Sequence, residues 1–266
     1  MPDHHLTIQE VIDKIITEIP GAPLEGSVDV IKTGDPDQKA TGIVTTFLAT
    51  LKVLQETVEL GANLVITHEP TFYNHLDEQD WLQDDPVYEA KRRFIEDHHL
   101  VIWRFHDYWH MHQPDGVLTG ALKQMGWEGY SNPEDPIICT IPPTPLDKLV
   151  SEVKGKLGVQ TARLMGDPEF VCRRVAILVG AWGGRPHILA LRREDVDTLI
   201  CGEVAEWETT EYVRDAIRIG RKKALIVVGH ANSEEPGMEY LVEWLRVRFP
   251  GLPIHHLSTG NPFRYL

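Results

Sequence analysis

Basic charge is scarce in this 266-residue chain: 26 Lys and Arg stand against 40 Asp and Glu, for a formal net charge of −14. Binding nucleic acid requires a Lys/Arg footprint that neutralises phosphates, so no nucleic-acid partner is expected. The densest basic group, Arg218, Arg221, Lys222 and Lys223, reads as the end of a helix, where cations oppose the helix dipole. Cysteine is nearly missing as well. Cys139, Cys172 and Cys201 cannot all pair and show no CxxC spacing, so they read as reduced, small core residues of a cytoplasmic protein. No apolar run approaches the ~20 residues that a bilayer crossing needs, and no membrane role is expected. The start, Met1-Pro2-Asp3-His4-His5, lacks the basic and apolar regions of a secretion signal. No GxSxG nucleophile elbow occurs, and the glycine-rich Gly180-Ala181-Trp182-Gly183-Gly184 fits neither a Walker loop nor a dinucleotide fingerprint.

Histidine is what the chain has in excess, 13 in all, and several fall just past apolar runs that read as buried strands. Ala224-Leu225-Ile226-Val227-Val228 leads into Gly229-His230-Ala231-Asn232-Ser233-Glu234. Leu64-Val65-Ile66 leads into Thr67-His68-Glu69-Pro70, and Leu100 to Phe105 into His106-Asp107-Tyr108-Trp109-His110. The carboxyl ends of strands are where α/β sheets place ligand-binding groups. Imidazole and carboxylate together make a borderline-hard metal site, and His-x3-His puts both rings on one helical face. Each motif also has a plain structural reading: an exposed turn for His68-Glu69, helix packing for His106 and His110, and helix capping around Asn232 and Ser233. His112 and Asp115 lie close enough to orient ligand rings. Trp103, Trp109, Trp182 and Trp207 flank these segments, and core packing is their default role.

Periodicity organises the chain into an α/β fold of two lobes with mixed or mainly parallel sheets. Helices are expected at Thr7–Glu18, Thr50–Glu59, Pro86–His98, Gly116–Met125, Leu146–Leu157, Trp207–Ile219 and Pro236–Phe249. The expected division is a first lobe over 1–130, a connecting segment over 131–170 with no large inserted domain, and a second lobe over 171–266. The two lobes could equally form one intertwined unit.

Gly34-Asp35-Pro36, Gly61 to His68, Gly202-Glu203-Val204, Gly229-His230 with Glu234, and Gly260-Asn261-Pro262-Phe263 occur in an order that resembles the Nif3-like dinuclear metal-centre family, also called type-2 GTP cyclohydrolase I. The resemblance covers nearly the whole chain. It implies that the sheets of the two lobes face a central metal-binding cleft, with two divalent ions (Zn, Fe or Mn) between the lobes, and a toroidal homohexamer. The family's ligands are a His-His pair, an Asp four residues after a third His, and a late His-x3-Glu. His68, His106, His230 and Glu234 match. Glu69 stands where the second His is expected, and His110 where the Asp is expected. Asn261 replaces a common Asp, and Glu206-Trp207 replace a His-rich pair. The two ligand exchanges compensate, because Glu69 and Glu234 keep the carboxylate count at two. The implied metal ligands are therefore His68, Glu69, His110, His230 and Glu234, with His106 a ligand or a proton shuttle. The implied activity is metal-dependent hydrolysis of a nucleotide or phosphoester-type small molecule. The alternative is a non-catalytic metal-binding protein, metal chaperone or scaffold.

Overall fold

Three helices of the first unit start where a capping side chain replaces hydrogen bonds that the first turn lacks. In the computed structural model, which describes residues 6–265, α1 (Ile8–Thr17) opens on a reciprocal box: Glu10 N–H donates to Thr7 Oγ1 at 3.1 Å, and Thr7 N–H donates to the Glu10 carboxylate at 2.8 Å. Ile8, Val11, Ile12 and Ile15 then form its buried stripe. Strands β1 (Ile31–Thr33) and β2 (Ile43–Thr46) follow. Thr50 caps α2 (Leu51–Glu59), a contact worth about 1 kcal/mol. β3 (Leu64–Thr67), α3 (Pro86–Asp97), β4 (Val101–Arg104) and the short α4 (Asp107–Met111) complete the run.

Four of these strands belong to a five-stranded sheet of order β1-β4-β3-β2-β11, where β11 is Ile254–His256. β11, β2, β3 and β4 are mutually parallel, and β1 pairs antiparallel with β4 at the edge. β2, β3 and β4 are buried at every position, which is why their apolar residues come consecutively rather than in alternation. Leu54, Val65, Phe72, Ile95, Leu100 and Ile102 form one core cluster of this unit. The register sets Thr67 beside Arg104, so β3 and β4 release the chain side by side.

The second unit begins with α5 (Gly116–Met125) and contains β5 (Ser131–Asn132), β6 (Asp135–Pro145), α6 (Leu146–Leu157), β7 (Arg163–Met165), β8 (Val171–Leu178), α7 (Gly184–Leu191), β9 (Thr198–Cys201), α8 (Glu211–Arg218) and β10 (Ala224–Val227). Its six-stranded sheet runs β5-β6-β8-β9-β10-β7. β8, β9 and β10 are parallel, while β5, β6 and β7 join antiparallel. The core carries Ile138, Leu178, Leu191, Leu199, Val213 and Leu225. The fold class is thus α/β with two mixed sheets.

The boundaries differ from those expected. Residues up to Gly116 group with Met238–Pro262, and Val117–Gly237 groups with the chain from Phe263 onward. The segment over 131–170 is no connector: β6 pairs with β8 from Ile138 opposite Ala176, and β7 pairs with β10. The stretch near the C-terminus returns to the first sheet, because β11 pairs with β2 from Ile254 opposite Ile43. Such long-range pairings leave no mark in local periodicity. The last helix, α9 (His230–Arg248), starts six residues before the expected Pro236, which lies inside it. Gly229, at φ +99°, turns the chain sharply out of β10, and Ser233 N–H donates to the Gly229 carbonyl at 3.1 Å. The helix expected from Trp207 begins as a π-helical turn over Glu206–Thr210 before α8. The Met1 to His5 stretch lies outside the described residues.

Candidate metal centre

Because β3 and β4 are parallel neighbours, the residues just past their ends emerge together. His68 N–H donates to the Thr46 carbonyl, and Phe105 N–H to the Thr67 carbonyl, which extends the ladder one step beyond the strands. His106 follows as the N-cap of α4, and His110 lies one turn on, its N–H donating to the His106 carbonyl at 3.1 Å. The three imidazoles converge. Ring centroids are 4.6 Å apart for His68 and His106, 5.2 Å for His68 and His110, and 5.1 Å for His106 and His110. One nitrogen from each ring can be chosen so that all three lie within 4.8 Å of one another.

Nδ1 of each ring meets an acceptor. His68 Nδ1 meets the Phe105 carbonyl at 3.2 Å, His106 Nδ1 the Asp107 carboxylate at 2.9 Å, and His110 Nδ1 the Asp115 carboxylate at 2.9 Å. An acceptor on Nδ1 fixes the proton there and makes Nε2 the ligating atom, as for most metal-bound histidines. Burial, then the neighbouring charge of His68, pushes the His106 imidazole down to about 4, so it is neutral and able to ligate at neutral pH. Burial opposes ionisation of Asp107, but hydrogen bonds from His106, Ser27 and Val28 hold its carboxyl below the usual range.

The short helix under this cluster is anchored from far away. Asp29, 5% exposed, accepts the backbone N–H groups of His106, Asp107 and Tyr108 at 2.8, 3.0 and 2.7 Å. Burial raises its carboxyl pKa, and those three donors partly offset the rise. Trp109 packs beneath against Phe105, Tyr240 and Trp244, and Gly116 leaves room for its ring: a Cβ there would meet the indole at 2.2 Å. Trp103 is also buried, while Trp182 and Trp207 are exposed, so these four do not share one environment.

Glu69 is 13% exposed by side chain and pairs with Arg104 at 3.1 Å. In the second unit, His230 and Glu234 sit one turn apart at the start of α9, with Nε2 and the carboxylate 2.9 Å apart; His230 Nδ1 faces Glu203 at 3.3 Å. Glu234 is buried against Gly180, where a Cβ would lie 1.9 Å from Oε1. Gly202 is equally constrained, by the Gly180 backbone and the Ser233 hydroxyl. The glycine-rich loop after β8 is therefore shaped around this carboxylate and is more than a turn. Of the expected residues, His68, His106 and His110 come together within the first unit. Asp29, Asp107 and Arg104 were missed from the sequence. Arg104 alone left a trace, a charged residue ending a strand otherwise apolar.

Three imidazoles with their protons fixed on the far side are a donor set that fits a divalent cation. The profile of the family described as Duf34/NIF3 (NGG1p interacting factor 3) matches residues 27–262. The chain belongs to the Duf34/NIF3 family. A protein of Escherichia coli strain K12 named "GTP cyclohydrolase 1 type 2 homolog" is 30% identical over 230 residues, spanning 83% of this chain and 85% of that protein. A Clostridium perfringens protein of the same name is 23% identical over 257 residues, 91% and 92% of the two chains. Among solved structures, the Staphylococcus aureus hypothetical protein SA1388 superposes with a TM-score of 0.78 at 18% identity, covering 98% of this chain and 99% of its own. That likeness is one of fold.

Proposed function

We propose that this Duf34/NIF3 protein is a metal-dependent hydrolase acting on a nucleotide or a phosphoester-type small molecule. The observation that carries the reading is the orientation of His68, His106 and His110, each with Nδ1 held by its own acceptor. Histidines placed only for packing need no such set of acceptors, whereas ligating ones almost always have it. When bound there, a divalent ion supplies Lewis acidity and an acidified water, which hydrolytic chemistry requires. The names of the Escherichia coli and Clostridium perfringens relatives point to GTP as the first substrate to test.

The resemblance sets the count at two ions, Zn, Fe or Mn, with Glu69, His230 and Glu234 completing the ligands. A homohexamer and a cytoplasmic location belong to the same reading. Among the described residues no helix is long and apolar enough to cross a membrane.

The test is metal analysis of purified protein, followed by assay of GTP and a phosphoester panel with each metal. His68→Ala and His110→Ala should lose the ion. Asp115→Asn, which leaves every proposed ligand in place, should weaken binding by roughly 10- to 100-fold. Unchanged metal content in the histidine variants would refute the reading. Metal bound tightly without turnover of any substrate would leave the protein a metal-binding one and defeat the hydrolase assignment.

A further inference from the structure

The loop between β3 and α3 exposes His75, yet side chains buried beneath it brace the main chain on either side. Lys91 donates to the Thr71 carbonyl at 2.6 Å, and Asp77, paired with Lys32 at 3.3 Å, accepts the Phe72 N–H at 2.7 Å. Arg104, wholly buried, donates to the His75 carbonyl and, through Nε, to the His68 carbonyl at 3.1 Å. One guanidinium therefore fixes the peptide of His75 relative to that of His68. Tyr73 and Asp77, neither of them glycine, are held at φ +65° and +58°, in the sparsely populated left-handed region. Such strain persists only where the surroundings over-determine it, and it gathers at functional sites.

What the bracing delivers is an imidazole. The His75 ring lies edge-on to His106, with centroids 6.3 Å apart at 86°, and among the described residues neither of its nitrogens has a hydrogen-bond partner. It stands outside the sets of donors close enough to share one ion. A neutral imidazole always carries one N–H, so His75 offers a donor beside the place where an ion would sit.

We propose that His75 is a substrate-binding residue whose ring N–H donates to a phosphoryl oxygen of a substrate engaged at His68, His106 and His110. This rests on the metal-centre reading above. A phosphoryl group fits because it presents several anionic oxygens on one atom, so an ion and a neighbouring donor can each take one. The hydrogen bond from His75 is then charge-assisted. His75 thereby selects phosphorylated substrates over their unphosphorylated counterparts.

The experiment is calorimetric titration of inorganic phosphate into Zn-loaded full-length protein. Wild type should bind, and His75→Ala should bind at least about tenfold more weakly, the loss expected for one hydrogen bond to a charged group. Zn affinity should stay unchanged, because the brace grips the carbonyl of residue 75, which alanine retains. His75→Asn or His75→Gln, each with an N–H near one of the ring nitrogens, should restore most of the phosphate affinity. Should the variants fail to fold, wild type carries the test: phosphate should shift the His75 ring resonances of the Zn-loaded protein. No phosphate binding by wild type, equal binding by His75→Ala, rescue by neither amide or unmoved ring resonances would each overturn the proposal. Loss of Zn from His75→Ala would make the ring a metal ligand and overturn it too. If His110→Ala binds Zn as wild type does, the metal-centre reading itself fails; if it does not, only the role of His75 is in question.

Discussion

Gly180→Ala should be far more damaging than an ordinary glycine substitution, and the structure says by how much. Gly180 has φ +74°, a conformation that costs an L-residue about 1–2 kcal/mol. Its added Cβ would also lie 1.9 Å from Glu234 Oε1 and 2.7 Å from Cδ, well inside contact distance. Glu234 is buried, so its carboxylate has little room to retreat, and overpacking of this kind adds about 1–3 kcal/mol. The expected destabilisation is about 2–5 kcal/mol. Gly158 supplies the control. It ends α6 at φ +67° with nothing within 4 Å of an added Cβ, so Gly158→Ala should lose only the conformational term, about 1–2 kcal/mol. Urea denaturation of the two variants beside wild type measures both losses on one scale. The Gly180 variant should also perturb the His230–Glu234 contact, seen as shifted His230 ring resonances. Equal losses in the two variants would refute the reasoning, because the glycine-rich loop would then not be shaped around Glu234.

Burial pulls the Lys91 ammonium down from 10.5 to about 8, against the charge of Asp77, while Lys91 donates to the Thr71 carbonyl. Between those two values the unfolded chain holds a proton that the folded chain has released, so this residue makes stability rise with pH from 8 to 10.5, by up to about 3 kcal/mol. Lys91→Met should flatten that rise, measured by urea denaturation at pH 7.5, 9 and 10; identical slopes for the two proteins would sink the argument. Cys139 and Cys201 are pushed up to about 12 and Cys172 to about 11, in each case chiefly by burial. None of the three should react with a thiol reagent in the native protein at pH 8, and all should react in denaturant; rapid labelling of the native state would contradict their placement.

The pattern of apolar residues determined the element types, because helices repeat every 3.6 residues and strands buried on both faces stand out as short apolar runs between turn residues. The Gly116–Met125 and Leu146–Leu157 helices and the Thr198–Cys201 strand lie where periodicity put them. Thr7 was legible as a cap for the same local reason. The placement of His68, His106 and His230 just after buried strands was equally plain, as was the one-turn spacing of His110. Tertiary structure decided which of these residues meet. His68 faces His106 because β3 and β4 pair in parallel with Thr67 beside Arg104, and register between strands is set by packing rather than by local sequence. Asp29 holds the turn carrying His106 from 77 positions away, a distance along the chain at which spacing conveys nothing. Glu69 read as a ligand from its neighbour alone; only the fold put a buried guanidinium against it.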